Sequence, residues 1–285
     1  MSRIQLLRSE KLGKLPWLVH AFSTRPGGVS RVYGGNALNL GFTQHDSRAA
    51  VKQNRKLFLK ELGLPTGCRG WPLVSLRQIH SDLIHRVEGI PQTPLAGDGL
   101  ITDTPGLVLA VQTADCFPII LADRKRRAVG VFHAGWRGTV QRIAEKGIGE
   151  MRKHFQSDPR NLVAAIGPGV GSCCYEVGEE VRTRFEAQFA YGSSLFHEVK
   201  ESDPVREKYP LLFLTARAPG HSALPVKLFL DLSEANRRQL LDAGVPAKNI
   251  DKIGQCTACH SEMLFSFRGD KGVTGRMMAA VGINP

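Results

Sequence analysis

The stretch LVLAVQTADCFPIILADRKRRAVGVFHAGWRG, residues 107–138, decides the fold class. It holds three apolar runs of strand length: LVLAVQT at 107–113, PIILAD at 118–123 and AVGVFHA at 128–134. ADCF and RKRR separate them. Continuous apolar character, rather than alternation, predicts strands covered on both faces. Downstream of HAGWRG, Val140, Ile143, Ala144, Gly147, Ile148 and Met151 recur at helical spacing and predict an amphipathic helix. Further on, LVAAIGPG at 162–169 reads as another buried strand. KLFLDL at 227–232 leads into a helix capped by Ser233, carrying Leu240 and Leu241 and stopped by Gly244. On the N-terminal side, LVSLRQIH at 73–80 and LIHRVEGI at 83–90 have the branched residues of short strands. Before them, Asp46 or Ser47 caps a helix whose stripe is Ala50, Val51, Leu57, Phe58 and Leu62, broken by polar Asn54 and stopped by Gly63. Residues 22–41, rich in Gly, Ser and Asn, read as an ordered loop. Strands and helices mix without strict alternation, so the expectation is one mixed α/β domain over residues 1–285.

Composition narrows the classes of function. The 285 residues are 42% hydrophobic and 22% charged, which suits a globular chain with a substantial core. No apolar run approaches the roughly 20 residues of a membrane span, and charges interrupt the N-terminal segment where a signal peptide would need an apolar run. A cytoplasmic protein with no membrane partner is expected. The net charge of +12 is dispersed, with only KRR at 125–127 forming a tight group that reads as a solvated turn. Such a surplus suits an anionic substrate as well as nucleic acid. Aromatic residues are only 7% and are not interleaved with the basic ones, so nucleic-acid binding is not expected. Six cysteines in a chain of this length do not make a disulfide scaffold. They are expected to be reduced, with Cys68 a buried hydrophobe.

Three predicted strand ends carry soft or borderline metal ligands: His80 in RQIH, Cys116 in TADC and His133 in VGVFHAG. Two imidazoles and a thiolate form a zinc shell of the catalytic type, with a fourth position open. The intervals of 36 and 17 residues match no local zinc motif, so the residue types carry this reading and the spacing does not. Asp115 and Arg77 add polar groups beside them. Arg137 lies just ahead of a helix start, where anions bind, and Gly135 and Gly138 would let a ligand approach the backbone. With equal force, Trp136 is a core anchor and the glycines turn the chain. GDG at 97–99 reads as a turn. Cys173 and Cys174 are adjacent and unsuited to bridging each other. Cys256 and Cys259 in CTACH formally match a redox pair, though reduced loop thiols explain them as well.

Taken together, the motifs resemble those of the laccase-domain, or polyphenol-oxidase-like, proteins treated as purine nucleoside phosphorylases. The matching pieces are FSTRPGGVS, ALNLG, the NR of KQNRKLF, RQIHSD, GDGLITDTPGLVLAVQTADCFPIIL, VGVFHAGWRGTV, IGPGVGSCCYEVG, CTACH, FSFRGD and GR, in order from about residue 22 to 276. The resemblance implies layered mixed β-sheets flanked by helices, with His80, Cys116 and His133 as zinc ligands. It also implies phosphorolysis of adenosine, inosine and methylthioadenosine, together with adenosine deamination. In a scheme built on it, Cys116 serves the metal, Asp115 shuttles a proton, and Arg77 and Arg137 orient phosphate. Arg268 is retained from the family's FFSYRRD, whereas Leu264 and Gly269 depart from it, which bears on substrate preference. Two other enzyme readings stand beside this one. Cys116 as a nucleophile with His133 as its base would give an amidase or peptidoglycan-precursor-editing hydrolase. Copper at the same ligands would give an oxidase, although nine scattered histidines are few for a multicopper site. The sequence does not set the oligomeric state.

Overall fold

The computed structural model describes residues 3–65, 70–200 and 226–285; Cys68 lies outside them. The chain forms two compact units, 1–171 with 232–285, and 172–231. The first is built on two sheets. One has the order β1 (Leu6–Leu7), β2 (Leu18–Ser23), β15 (Met277–Ile283), β7 (Val108–Thr113), β4 (Leu73–Ser75). The other runs β14 (Ile250–Lys252), β10 (Leu162–Ile166), β8 (Phe117–Asp123), β9 (Val129–Ala134), β6 (Gly99–Thr102), β5 (Ile84–Arg86). Both mix parallel and antiparallel pairs. This is the expected mixed α/β architecture of layered sheets with flanking helices.

The three central apolar runs are strands, but they do not form one sheet. β7 belongs to the first sheet, whereas β8 and β9 pair in the second, so the TADC turn carries the chain across the layers. Side-chain alternation then fixes what each face buries. Leu109 and Val111 of β7 join Val129 and Val131 of β9, Ile120 of β8 and Val281 of β15 in the core between the sheets. Val108 and Ala110 turn to the opposite face with Met278 and Ala280, where Phe58 and Leu62 close a second core. Phe58 comes from helix α2 (Arg48–Glu61), capped by Ser47, whose hydroxyl accepts the Ala50 N–H, as the sequence predicts. Asn54, the polar break in that stripe, is fully buried. Its amide donates to Ser30 Oγ and the carbonyls of Ala37 and Asn39, and its oxygen accepts the Val29 N–H. It therefore holds the 22–41 segment, which contains strand β3 (Pro26–Ser30).

Several boundaries differ from the sequence reading. The helix expected over 140–151 is two, α3 (Trp136–Val140) and α4 (Ile143–Phe155), because Arg142 adopts a left-handed φ of 64° between them. The helix assigned to a Ser233 cap, α6 (Leu232–Asp242), begins two residues before the start such a cap sets and places Ser233 inside its first turn. A short helix α1 (Glu10–Gly13), capped by Ser9, precedes β2. The second unit contains helix α5 (Glu179–Gln188) and an antiparallel sheet β11 (Glu176–Val177), β13 (Val226–Leu230), β12 (Phe196–Lys200). In it, Phe185 meets Phe196 edge to face with centroids 5.9 Å apart. Among the described residues no helix is long and apolar enough to cross a membrane.

Helix α4 packs on the second sheet through a glycine. A Cβ on Gly147 would lie 2.6 Å from ring atoms of Phe132, which is fully buried and cannot withdraw. Replacement by alanine improves helix propensity by about 1 kcal/mol. Overpacking costs about 1–3 kcal/mol and should prevail. Gly147→Ala is thus expected to lower the urea midpoint; a midpoint at or above wild type would mean the ring has room to shift.

Candidate metal centre

His80, Cys116 and His133 converge. One ligand atom from each lies within 4.8 Å of the others, and the two imidazole rings meet at a centroid distance of 4.9 Å and 76°. The fold explains the convergence. Cys116 immediately precedes β8 and His133 stands near the end of β9, where it pairs with Pro118. Alternation turns His133 toward the same side as Val129 and Val131. His80 follows β4 in the first sheet, so the site lies where the layers meet. Gly135 faces it: a Cβ there would come 2.8 Å from Cys116 Sγ and 3.2 Å from His80 Cδ2. The glycine thus makes room for the protein's own ligands. Gly138 likewise lies against the Ser81 carbonyl.

Behind the triad sits a carboxylate the sequence reading treated as part of a turn. Asp98 is fully buried. Its Oδ1 accepts from His133 Nδ1 at 2.8 Å and from the His80 N–H at 3.1 Å. Oδ2 accepts the N–H groups of Ile79 and Ser81 and the Ser81 hydroxyl. Three successive amides closing on one carboxylate form an anion nest, and His80 adopts φ 57° within it. Fixing a proton on His133 Nδ1 leaves Nε2 with its lone pair for a ligand role. Electrostatics follow from the packing. Burial alone would raise the Cys116 thiol, but His133 and His80 beside it bring it down to about 6. Burial would lower His133, yet the Cys116 sulfur and Asp98 raise it to about 9. Each group thus favours the charged form of the other, a pairing that suits a thiolate donor. The donor set and its second shell fit a first-row divalent ion in a three-ligand site.

The remaining predicted residues are placed differently. Asp115 is buried, with φ 90°, in the turn that carries Cys116. Its Oδ1 accepts the hydroxyls of Thr257 and Ser266, both at 2.6 Å, and its Oδ2 accepts the Arg268 N–H at 2.8 Å. It anchors the 257–268 segment beside Cys116. Arg268 enters this arrangement through its backbone, with an exposed side chain. Arg137 is exposed, its guanidinium 4.5 Å over the Trp136 ring, on a helix of only five residues. Arg77 is exposed and lines a cleft of about 600 Å³ with Arg55, Phe42 and Gln112. Of the other described cysteines, Cys256 accepts the Gly171 N–H through its sulfur at 3.2 Å, Cys173 and Cys259 are exposed, and Cys173, Cys174, Cys256 and Cys259 are outside any disulfide.

Comparison with known proteins places this architecture. A sequence model described as "Multi-copper polyphenol oxidoreductase laccase" matches residues 19–284. The chain belongs to this laccase family. Its relatives include "Purine nucleoside phosphorylase YlmD" of Geobacillus stearothermophilus, 32% identical with 97% of each chain covered. A "Purine nucleoside phosphorylase" of Deinococcus radiodurans is 34% identical, covering 98% of this chain and 93% of its own. "Adenosine deaminase RL5", from an unknown prokaryotic organism, is 34% identical with 88% of each covered. The crystal structure of Geobacillus stearothermophilus YlmD superposes with a TM-score of 0.79 over 100% of this chain and 98% of that one, at 31% identity. Each of these three curated relatives carries the name of an activity on nucleosides.

Proposed function

We propose that this laccase-family chain is a zinc-dependent purine nucleoside phosphorylase, acting on adenosine, inosine and methylthioadenosine, and that the same site deaminates adenosine. The convergence of His80, Cys116 and His133 over the buried Asp98 carries the reading, supported by relatives named for both activities. Zinc is preferred to copper because two imidazoles and one thiolate with an open position are a catalytic zinc set. Copper accepts the same donors and remains the alternative the family's description favours. When bound, the metal supplies a Lewis acid with an open coordination position.

The protein's own groups do the rest. Asp98 holds the proton on His133 Nδ1, so the ring presents a lone pair to the site. Before the metal enters, His133 and His80 lower the Cys116 thiol and so favour the thiolate that serves as donor. Asp115 fixes the 257–268 segment against the turn that carries Cys116. In phosphorolysis, a phosphate oxygen forms a bond to the ribose anomeric carbon as the glycosidic C–N bond breaks, and the base departs with the electron pair. In deamination, water adds to the purine carbon bearing the amino group and ammonia leaves.

The test is elemental analysis of one preparation that is also assayed with adenosine and inosine, with and without phosphate. About one zinc per chain, with ribose 1-phosphate formed only in the presence of phosphate, is the expected result. Bound copper with oxygen consumed on a phenolic substrate, and nucleosides untouched, would replace this reading with the oxidase.

A further inference from the structure

The phosphorylase reading leaves the anion-binding residue open, because Arg77 and Arg137 are both exposed and Arg268 contributes its backbone. A different arginine has the required surroundings. Arg276 directly precedes β15, and its backbone is fixed from both sides: its N–H donates to Asn39 Oδ1, and its carbonyl accepts the Leu40 N–H, both at 2.9 Å. One terminal nitrogen donates to the carbonyls of Thr274 at 3.2 Å and Gly275 at 3.0 Å. Nε and the other terminal nitrogen have no protein acceptor among the described residues, and no carboxylate there lies within ion-pair distance of the guanidinium.

The side chain lines a cleft of about 330 Å³, together with Phe42, His45, Gln112 and Phe267. None of the residues lining that cleft is acidic. Phe42 and Phe267 are about half exposed, and the Arg276 guanidinium lies 5.9 Å from the Phe267 ring centre. Gly41 forms the floor. A Cβ there would come 2.6 Å from Arg276 Cγ and 2.7 Å from Gln112 Oε1, so the chain is glycine where these two side chains lie against it. The cleft lies beside the turn that carries Cys116: Gln112 and Phe267 line it, Met277 next to Arg276 pairs with Thr113, and Asp115 accepts the Arg268 N–H next to Phe267.

A second partly buried guanidinium, Arg55, stands over Phe42 and lines the neighbouring cleft of about 600 Å³ that also contains Phe42 and Gln112. Arg55 donates through Nε to the Leu40 carbonyl at 2.9 Å and stands 4.5 Å over the Phe42 ring. One of its terminal nitrogens is buried without an acceptor. Burial brings it down to about 10, and no acid lies within ion-pair distance among the described residues. Two desolvated cations with no carboxylate in ion-pair contact among the described residues, flanking residues 40–42, cost stability that an anion joining them would offset.

We propose that Arg276, in the cleft between Phe42 and Phe267, binds the phosphate that attacks the nucleoside. This rests on the phosphorylase reading of the same site. The free guanidinium donors hold the non-attacking phosphate oxygens. The remaining oxygen forms the C1′–O bond, the C1′–N9 bond breaks, and the purine leaves with the electron pair and takes up a proton. Arg276 transfers no proton. It sets where phosphate sits and neutralises its charge.

The test uses the full-length, metal-loaded protein and the variants Arg276→Gln and Arg276→Lys, with metal content and circular dichroism confirming that each is intact. Inorganic phosphate binding is measured by calorimetry without nucleoside, and KM is measured separately for phosphate and for inosine. Arg276→Gln is expected to weaken phosphate binding and raise the phosphate KM about 10- to 100-fold. Arg276→Lys should fall between, because it keeps the charge but not the fork. The inosine KM and the phosphate-independent deamination of adenosine should move much less. Phosphate affinity within about twofold of wild type in Arg276→Gln overturns the assignment, as does equal loss of deamination in a metal-replete variant. Arg276-dependent phosphate binding by a protein that cleaves no nucleoside would leave this site standing and refute the phosphorylase reading. Phosphorolysis unaffected by the substitution would do the reverse.

Discussion

Cys116→Ala is expected to lose its metal and with it about 10³-fold or more in kcat/KM for both nucleoside reactions, while the protein stays folded. The thiolate is the only anionic donor of the triad, and its removal leaves two imidazoles facing an open position. Metal catalysis supplies several kcal/mol of transition-state stabilisation, which sets the size of the loss. The fold should tolerate the change because Cys116 lies at a turn, is only partly buried and stands outside the hydrophobic clusters described above. The measurement is metal content and nucleoside turnover on matched preparations, with a thermal melt of both metal-free proteins. A variant that keeps stoichiometric metal and wild-type turnover would remove Cys116 from the ligand set. A variant that keeps metal but loses all turnover would point to the cysteine as a nucleophile, the rival reading of the same pair with His133.

That triad was legible in the sequence for a particular reason. His and Cys at the ends of otherwise apolar strands are expensive choices for packing, and residue type alone marks them. The central strands were legible on the same principle, since LVLAVQT, PIILAD and VGVFHA are strands and are buried on both faces. What local sequence does not carry is partnership. Nothing in TADC shows that the chain changes sheets there. The strand Met277–Ile283 went unassigned although it lies in the middle of its sheet, paired on one side with β2 more than 250 residues away. Arg142 in a left-handed conformation looks like any basic residue on a helix surface, so the break between α3 and α4 was invisible too.

The same distinction runs through the site. Asp115 stands out in the sequence because it neighbours Cys116, and that proximity suggests a proton shuttle. The fold adds a second task, since its oxygens also hold Thr257, Ser266 and Arg268, residues more than 140 positions later. Asp98 and Arg276 drew no attention as individual residues. Each is a common residue in a glycine-containing segment, and each acquires meaning only from what the fold brings to it. A single signal was available for Asp98: flanking glycines free the backbone around a carboxylate, and a Cβ at Gly99 would strike Ile84 and Phe132 at 2.7 and 2.8 Å. A mere turn does not need that.

Asp98→Asn is the sharpest probe of this hidden layer. The carboxylate accepts five hydrogen bonds and donates none. An amide has one accepting atom and one donating group, so it meets at least one N–H with another N–H. If its NH₂ group faces His133 Nδ1, the imidazole proton must move to Nε2, where the metal needs a lone pair. If it faces Ser81 instead, the nest holding His80 opens. Either outcome weakens metal binding, by about 10–100-fold for loss of a second-shell partner. It also destabilises the metal-free fold by about 2–5 kcal/mol, the range for breaking a buried charged network. The pH dependence separates this from a generic packing defect. Burial opposes ionisation of Asp98, but the bonds from His133 and Ser81 outweigh it and hold the carboxyl at about 2, below its ordinary 3.8. A depressed acid contributes stability that is complete above its unfolded pKa and is lost as pH falls through the folded one. Wild type should therefore lose its advantage over Asp98→Asn between about pH 4 and pH 2, and keep it in full at pH 7. Competitive chelator titrations at neutral pH, with urea midpoints of the two metal-free proteins at pH 7 and pH 3, provide the check. Metal affinity unchanged within twofold, or a stability gap that does not narrow in acid, would mean that Asp98 does not orient this site.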